Sequence, residues 1–435
     1  MFQAALGRLE KVAAHSPSGT VVEVSGLIVE VAGIKAAIGD SLRVDELPEL
    51  KLEVVGFRRN HLLTTPLGPT SGLRPKMRAT FLGHGGEVPV GDQLLGRVID
   101  CFGRPLDQGP LSCKRKVPLR ASPPDPFGRK PIDTPLTTSV RAIDGLLPLG
   151  VGQRVGIFAG SGVGKSTLLG MICRGSSADV NVIALIGERG RELNDFIRES
   201  LGDEGLAKSV VVAATGDQAP LMRARGAETA TAIAEYFRDQ GKSVLLVMDS
   251  VTRYAMALRE VALAAGEPPA TKGYPPSVFA SLPRLLERAG TGPSAGVITA
   301  LYTVLVEGDD MNEPIADAVR GLLDGHIVLS RNMAERGHFP AIDVSASVSR
   351  VTHQVAEQSH LQAAHCMRDL LGVHREALDL IQVGAYVNGS DPRVDQALAL
   401  APQFEGFLRQ SVDEKTPREH TLAVLRHLTG TGEAK

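Results

Sequence analysis

The sequence is poor in aromatic residues and contains no tryptophan. Of its 435 residues, five are tyrosine and twelve are phenylalanine, an aromatic content of 4%. Proteins that hold single-stranded nucleic acid stack its bases on aromatic side chains along a basic groove. The β-rich stretch 20–91 offers only Phe57 and Phe81, and the whole chain carries 47 basic against 49 acidic residues. Composition therefore argues against nucleic acid as a partner.

Cysteines and long apolar runs are equally scarce. No apolar run reaches the roughly 18 residues that indicate a membrane-spanning helix, and the first residues show no basic-then-apolar signal segment. We therefore expect a protein that is neither exported nor inserted in a membrane. The four cysteines lack the Cys-x-x-Cys spacing of metal and redox sites, and we expect them to be reduced thiols of a cytoplasmic protein. They are Cys101, Cys113, Cys173 and Cys366.

Length and pattern predict several domains, because 435 residues exceed what one hydrophobic core normally holds. Residues 1–19 suggest a short helical lead. In 20–91, short β-runs separated by Gly, Pro and Asp predict a small β-barrel, more simply a scaffold than a ligand site. In 92–351, after a proline-rich connector, strands alternate with helices. Residues 352–435 predict a small helical domain with helices over 361–371, 375–383, 391–401 and 420–428.

The middle region predicts an α/β fold built on a parallel sheet. Five of its runs are nearly continuous in apolar residues, as buried parallel strands are. These runs are 154–159, 181–187, 209–215, 243–249 and 295–304.

The stretch 155–167 contains an apolar strand, a glycine-rich turn and the start of a helix. Residues 159–166 follow the Walker A spacing, with Ala159 where glycine is more common. Glycines let successive backbone N–H groups converge on phosphate oxygens, and the following helix adds its positive end. In this motif Lys165 reaches the β- and γ-phosphates and Ser166 offers a hydroxyl to Mg²⁺. The candidate nucleotide-binding residues are Gly160, Ser161, Gly162, Val163, Gly164, Lys165, Ser166 and Thr167.

Three further charged residues are candidates for the chemistry. Asp249 ends an apolar strand, the Walker B pattern, and would hold Mg²⁺ through water. Glu188 follows another strand, at the edge where open α/β sheets bind ligands, and would polarise the attacking water. Alternatively, Glu188 only pairs with Arg189 or Arg191 on a loop. Arg350, at the far end of the α/β region, is by itself an ordinary surface arginine.

In the order of these motifs the chain resembles the catalytic subunit of the rotary ATPase superfamily, most closely the ATPases of flagellar and type III protein export. The similarity runs from about residue 20 to the C terminus. The stretches that carry it are 96–100, 103–107, 160–167, 187–192, 249–255, 273–279, 283–290, 303–317 and 323–331. The resemblance implies a RecA-like P-loop core and a homohexamer that hydrolyses ATP with Mg²⁺ at its subunit interfaces. Flagellar and injectisome ATPases share these motifs, so the sequence does not distinguish the two systems.

The resemblance also assigns roles on the catalytic side of the interface. Lys165 contacts the phosphates, Ser166 and Asp249 organise Mg²⁺, and Glu188 activates the water.

Four other residues acquire roles only through the resemblance. Arg189 and Arg253 support the charge around the γ-phosphate. Arg350 matches the arginine finger that a neighbouring subunit inserts. Phe339 falls where the family places an aromatic ring against adenine, with a position in the hydrophobic core as the alternative.

Partners and location follow from the resemblance as well. The acidic loop 307–317 would line the central pore and meet a coiled-coil stalk protein, or else form a solvated surface turn. The N-terminal lead would dock a regulatory stator protein. Export chaperones, export substrates and the export gate at the membrane are further partners. The implied location is cytoplasmic, peripheral at the inner-membrane secretion apparatus.

Three rival functions use related cores. A catalytic β-type subunit of a proton-translocating ATP synthase would carry a longer helical domain with an acidic segment. In 352–435 the longest acidic run is the pair Asp413 and Glu414, and 382–392 looks like the export group. A ring-shaped nucleic-acid translocase would be indicated by strong stimulation of hydrolysis by single-stranded RNA. A passive nucleotide-binding scaffold would be indicated if Glu188→Gln left ATP turnover intact.

Overall fold

The computed structural model describes residues 16–107, 109–306, 308 and 310–431, without the side chains of 379–382. Most of the predicted helical lead, residues 1–15, lies outside the described residues, and the first strand already begins at Ser18. The chain then forms a barrel, a parallel-sheet region and a helical region in that order, which confirms the predicted fold class. Among the described residues, no helix is both long and apolar enough to cross a membrane.

Residues 18–83 form a closed antiparallel barrel of six strands. Around the barrel the strands follow the order β1-β2-β5-β4-β3-β6. Alternate side chains such as Val21, Leu42, Leu52 and Val54 point inward and form the barrel's own hydrophobic core. The strands are β1 (Ser18–Ser25), β2 (Ile28–Ala32), β3 (Ser41–Val44), β4 (Leu47–Arg58), β5 (His61–Pro66) and β6 (Arg78–Gly83).

A connecting region joins the barrel to the sheet. It contains β7 (Glu87–Val90), β8 (Arg97–Ile99) and β9 (Arg115–Pro118), and β7 pairs with β9. Two 3-10 helices, Asp92–Leu94 and Pro126–Gly128, lie in the same region. The proline-rich segment is anchored to the core, because Arg129 donates to the backbone carbonyl of Ala289 at 2.9 Å and pairs with Glu287 at 3.1 Å.

Eight strands form the central sheet. Their order is β18-β17-β12-β16-β15-β13-β14-β8, and every neighbouring pair is parallel except β17 and β18. A separate two-stranded sheet pairs β10 (Pro135–Leu136) with β11 (Leu149–Gly150). The remaining strands are β12 (Arg154–Ala159), β13 (Val180–Ile186), β14 (Ser209–Ala214), β15 (Ser243–Asp249), β16 (Val297–Leu305), β17 (Gly325–Leu329) and β18 (Ile342–Ser349).

Helices cover both faces of the sheet, and a separate hydrophobic core fills the space on each side. The α-helices are α1 (Arg141–Leu146), α2 (Lys165–Gly175), α3 (Gly190–Asp195), α4 (Gly202–Ala207), α5 (Pro220–Asp239), α6 (Val251–Ala265), α7 (Pro276–Leu286), α8 (Pro314–Leu322) and α9 (Arg331–Glu335). A π-helix, Phe196–Leu201, and a 3-10 helix, Thr271–Gly273, complete the set.

The C-terminal region contains α10 (Thr352–Val355), α11 (Gln358–Gln382), α12 (Pro392–Leu408) and α13 (Arg418–Thr429). The prediction of two helices over 361–371 and 375–383 was wrong, because α11 runs through both. The carboxylate of Asp391 caps α12 by accepting from the backbone N–H groups of Arg393 and Val394. Phe404 and Leu425 are buried in the same core as the phosphate-loop helix α2, so these helices pack directly on the nucleotide-binding region.

Candidate functional site

The parallel sheet brings three candidate segments to one edge. The phosphate loop follows β12, Glu188 follows β13, and Asp249 is the last residue of β15. Because these strands are parallel, their carboxyl ends meet at the same side of the sheet. Gly162 and Gly164 have φ angles of +78° and +86°, in the left-handed region that favours glycine. The loop can therefore turn sharply before α2 begins at Lys165.

A cavity of about 1040 Å³ opens above this edge. Seven of the eight predicted nucleotide-binding residues of the loop line it: Gly160, Ser161, Gly162, Gly164, Lys165, Ser166 and Thr167. The eighth, Val163, turns its side chain into the core beneath and is 2% exposed. Only the backbone of Val163 is therefore available to a ligand. The volume is ample for a nucleotide.

Lys165 connects the two carboxylates of the site. Its ammonium forms an ion pair with Asp249 and lies 3.5 Å from Glu188 Oε1. Burial by itself would lower the pKa of Lys165, but the charges of Asp249 and Glu188 raise it above its ordinary value. Lys165 is therefore a fixed cation, already positioned beside the cavity that a phosphate chain would enter.

The carboxylate of Asp249 is buried and hydrogen-bonded by a residue of the neighbouring strand. Its side chain is 2% exposed, and the hydroxyl of Thr303 on the neighbouring strand β16 donates to Oδ1 at 2.7 Å. The next residue, Ser250, caps α6 by accepting from the backbone N–H of Arg253. A buried carboxylate needs such partners, because leaving it unpaired costs several kcal/mol, on the order of its desolvation energy.

Glu188 stands at the wall of the cavity and does not pair with the neighbouring arginines. Arg189 pairs with Glu192 at 3.5 Å and Arg191 with Asp195 at 3.4 Å, so the alternative interpretation of Glu188 was wrong. Burial raises the pKa of Glu188 to about 7, although Lys165 opposes this and Asp249 adds to it. A carboxyl group with this pKa can exchange a proton near neutral pH.

The two arginines expected near the γ-phosphate both line the cavity, in different environments. Arg189 is largely exposed, whereas Arg253 packs its side chain against the backbone of Gly187. Within the described part of the chain, the buried Nε of Arg253 has no hydrogen-bond acceptor. A buried guanidinium nitrogen without a partner is costly, so this position suits an anionic ligand.

Arg350 is not brought to this cavity. It follows β18, and its backbone N–H donates to the carbonyl of Asp324, whose own N–H donates to the carbonyl of Arg154. Arg154 begins β12 while the phosphate loop follows its end, five residues on, or about 17 Å along the strand. The exposed side chain of Arg350 therefore lies near the amino-terminal ends of the parallel strands, whereas its own phosphate loop lies at their carboxyl ends.

Phe339 lies beside the phosphate loop and not in the core. It is 44% exposed, and a Cβ atom on Gly164 would meet its ring at 3.4 Å. The alternative that Phe339 is a core residue was wrong. Its exposed ring is free on one face at the entrance to α2.

Sequence analysis missed several side chains of the same cavity. Met256 and Arg259 follow Arg253 at three-residue steps along α6, and Lys272 and Tyr274 come from the loop after that helix. The guanidinium of Arg259 stacks on the ring of Tyr274, 4.8 Å from its centre. The helical spacing after Arg253 was a signal for the first two. Nothing local in the sequence indicates Lys272.

The acidic loop predicted to meet a stalk protein is only partly described. Glu307 and Asp309 lie outside the described residues. Asp310 and Glu313 line the nucleotide cavity, and Asp310 lies 3.7 Å from Lys272. The loop therefore borders the nucleotide site.

Family models match three successive parts of the chain. Residues 21–83 match the β-barrel domain of the ATP synthase alpha/beta family, and residues 139–349 match its nucleotide-binding domain. Residues 356–427 match the C-terminal domain of the type III secretion ATPase EscN. This last match separates the chain from the ATP synthase alternative.

Relatives match over nearly the whole chain. The flagellum-specific ATP synthase of Bacillus subtilis is 51% identical over 99% of both chains, and the type 3 secretion system ATPase of Xanthomonas euvesicatoria is 52% identical over 94% of both. The assembled ATPase EscN of enteropathogenic Escherichia coli, solved in complex with its central stalk EscO, has a TM-score of 0.88 and 47% identity, covering 94% of this chain and 100% of that one. The chain therefore belongs to the flagellar and type III secretion ATPases of the ATP synthase alpha/beta family, and it is an ATPase.

Proposed function

We propose that the protein hydrolyses ATP with Mg²⁺ at the interfaces of a homohexamer, and that this hydrolysis energises type III protein export by releasing chaperones and unfolding substrates. One observation carries the proposal. Lys165 and Glu188 line the cavity and Asp249 is buried beside it in an ion pair with Lys165, while Arg350 lies at the opposite end of the parallel strands. A complete phosphoryl-transfer site then requires a second chain.

The residues present fit a magnesium ion. Mg²⁺ is commonly bound through one or two protein oxygens together with substrate phosphates and water. Ser166 and Asp249 supply a hydroxyl and a carboxylate, and the described residues hold no group of three or more His, Cys, Asp or Glu side chains that would form an all-protein metal site. When bound with ATP, Mg²⁺ would neutralise charge on the β- and γ-phosphates.

The side chains of the site then have distinct tasks. The loop N–H groups and Lys165 hold the phosphates. Glu188 accepts a proton from the attacking water, for which its raised pKa is suited. Arg189 and Arg253 stabilise negative charge around the γ-phosphate, and the ring of Phe339 lies against the adenine.

Arg350 completes the neighbouring subunit's site. An arginine that reaches the transferred phosphoryl group stabilises the charge of the transition state, worth about 10³-fold or more in rate in NTPases that use one. Since Arg350 is exposed and far along the sheet from its own loop, it acts in trans.

Each domain has its own role in this proposal. The barrel of residues 18–83 acts as the scaffold within the predicted domain 20–91, residues 92–351 are the RecA-like catalytic domain, residues 352–435 are the helical domain, and the predicted lead 1–19 docks a stator protein. A central stalk meets the loop 307–317, as the EscN relative's complex with its stalk EscO suggests. The protein acts in the cytoplasm, at the membrane-embedded export gate, and takes its cargo from export chaperones.

Concentration dependence tests the proposal. Purified protein should hydrolyse ATP only with Mg²⁺, and its activity per chain should rise with concentration as rings form. Ring formation is followed by analytical ultracentrifugation in the same buffer. Activity per chain that stays constant from monomer to ring would contradict a shared site. Strong stimulation by single-stranded RNA would instead indicate a nucleic-acid translocase.

A further inference from the structure

A second cavity lies between the barrel and the nucleotide-binding region, away from the phosphate loop. Its volume is about 230 Å³. The barrel contributes Lys51 on β4, the turn after β6 contributes Gly86, and the nucleotide-binding region contributes Phe102 and Arg225. A ligand in this cavity would therefore contact both parts of the molecule.

Three cations surround one aromatic ring at this cavity. The ring centre of Phe102 lies 5.3 Å from Lys51 Nζ, 5.0 Å from the guanidinium carbon of Arg104 and 5.1 Å from that of Arg225. The ring face attracts each cation, but the cations repel one another. Burial lowers the pKa of Lys51, and the charges of Arg104 and Arg225 lower it further. The carboxylates of Asp100 and Glu49 act on the pKa of Lys51 in the opposite direction, but each more weakly.

Arg225 is the most deeply buried of the three, at 6% exposure. Its guanidinium packs flat on Gly86, where a Cβ atom would lie 2.5 Å from Nη1. In the described part of the structure its Nε has no hydrogen-bond acceptor, and its Nη2 donates to the carbonyl of Glu87 only at 3.4 Å. Most buried polar N–H groups in proteins have a hydrogen-bond acceptor, so Arg225 is unusual.

The nearby carboxylates do not neutralise this cluster. Glu53 lies 3.7 Å from Arg225 but is bound more closely by Arg120, at 2.9 Å. Burial raises the pKa of Glu53, and the charge of Arg120 opposes this. Glu87 at the cavity wall pairs with Lys116 at 3.9 Å.

Lys51 and Arg104 lie near Asp100, whose carboxylate accepts from the backbone N–H of Arg104 at 2.8 Å. Across residues 16–107, 109–306, 308 and 310–431, neither of them takes part in an ion pair. Among the described residues that line the cavity, Lys51, Lys116 and Arg225 are cationic and Glu87 is anionic, so positive charge exceeds negative charge at the cavity wall.

We propose that this cavity binds a compact oxyanion of the phosphate type, held by Lys51 and Arg225 with Arg104 beside them. Guanidinium and ammonium groups are the protein's usual ligands for such anions. The volume is below the roughly 300 Å³ at which sites for drug-sized ligands begin, so a whole nucleotide does not fit. Because the cations come from both the barrel and the nucleotide-binding region, the bound anion joins them.

Calorimetric titration of the full chain with inorganic phosphate tests this site. The titration uses a Lys165→Ala background, so that binding at the nucleotide site is weakened, and is repeated with AMP. The variants Lys51→Gln and Arg104→Gln each remove one cation without emptying a buried position. Lys35→Gln, an exposed lysine of the barrel away from the cavity, is the matched control for loss of one charge. Thermal melts of each variant verify folding.

Phosphate should bind to one site and raise the melting temperature. Lys51→Gln should weaken phosphate binding about tenfold or more, the effect of losing one charge-assisted hydrogen bond, and Arg104→Gln, which removes a neighbouring charge, should weaken it about threefold, whereas Lys35→Gln should leave it unchanged. AMP should not bind at this site. Absence of phosphate binding at millimolar concentration, or equal weakening by all three variants, would overturn the proposal. AMP binding that depends on Lys51 would overturn its restriction to compact anions.

Discussion

At the scale of single residues, Lys165 pairs with the carboxylates of its own site. Lys165 holds Asp249 and stands 3.5 Å from Glu188, so an arriving phosphate chain exchanges one set of ionic partners for another. Arg253 is different, because its buried Nε has no acceptor among the described residues. Phosphate binding therefore replaces the carboxylate partners of Lys165 and satisfies a donor at Arg253.

Replacing Glu188 separates catalysis from binding. Glu188→Gln keeps the shape of the side chain but cannot accept a proton, so ATP turnover should fall about 100-fold or more. Nucleotide affinity, measured by fluorescent nucleotide titration, should stay within a few-fold because Lys165 and the loop are intact. Turnover that survives this substitution would indicate that Glu188 is not the base.

The pKa of Glu188 predicts how the rate depends on pH. Since burial raises this pKa to about 7, the carboxyl group is mostly protonated below pH 7 and is then unable to take a proton from water. kcat/KM for ATP should therefore rise about fivefold from pH 6 to pH 7, reach about tenfold by pH 8 and level off above that. Rates measured between pH 5.5 and 8.5 check this, and a flat profile through pH 6 would contradict the assignment.

Thr303 supports Asp249 from the next strand. Thr303→Val preserves shape but removes the 2.7 Å hydrogen bond to a buried carboxylate, and should lower the free energy of unfolding by about 1–3 kcal/mol. Thr231→Val is the matched control, because the hydroxyl of Thr231 only donates to the carbonyl one turn back in its own helix. Urea denaturation without nucleotide compares the two. Equal effects would argue against a special role for Thr303.

At the scale of elements, the strands that were predicted accurately are those with a nearly continuous apolar sequence. The strands Arg154–Ala159 and Ser243–Asp249 were predicted to the residue, because they are buried on both faces and apolar throughout. In the barrel, the sequence predicts the β-runs 21–24, 27–31, 52–57 and 79–82 but not the short strands Ser41–Val44 and His61–Pro66, since polar residues interrupt them and pairing within the barrel defines them. The two helices predicted around Gly372 form one helix, because Met367, Leu370 and Ala377 are all buried against the core and outweigh one glycine.

The candidate site was predictable only where one strand or loop carries a motif. The phosphate loop, Glu188 and Asp249 all follow strands that the apolar pattern reveals. Lys272 and Thr303 reach the site through tertiary packing, which no local spacing encodes. Arg350 lies far from its own loop because β18 runs antiparallel to β17. The mixed polar and apolar sequence of β18 does not identify it as a strand.

A buried ion pair joins two helical elements to the connector. Arg288 binds Glu235 of α5 through two hydrogen bonds, of 2.5 and 2.9 Å, and also donates to the carbonyl of Leu119. Arg288→Met leaves Glu235 buried and unpaired, so it should lower the free energy of unfolding by about 3–5 kcal/mol. The double variant with Glu235→Leu should recover much of this loss.

Arg320 provides the control for that measurement. It pairs with Asp317 one turn away on a helix surface, so Arg320→Met should cost less than about 1 kcal/mol. Urea denaturation of all variants is the measurement. An Arg288→Met variant as stable as Arg320→Met would show that the buried pair does not fasten the connector.

At the scale of the whole molecule, the fold places the residues needed for one reaction at opposite ends of the parallel strands. The carboxyl edge of the sheet carries the phosphate loop and both carboxylates, and the opposite edge carries Arg350. The helical C-terminal region shares a hydrophobic core with α2, so it packs directly behind the phosphate loop. Activity is therefore expected to depend on assembly as much as on Lys165.

Subunit mixing tests this central claim most directly. Lys165→Ala and Arg350→Ala rings should each be nearly inactive, because every interface lacks either the phosphate lysine or the finger. In rings mixed one to one, about a quarter of the interfaces combine an intact Lys165 with an intact neighbouring Arg350, so ATPase activity should recover to about that fraction of the wild-type value. Mixed rings that form by native mass spectrometry, yet remain no more active than the two variants alone, would contradict a site shared between subunits.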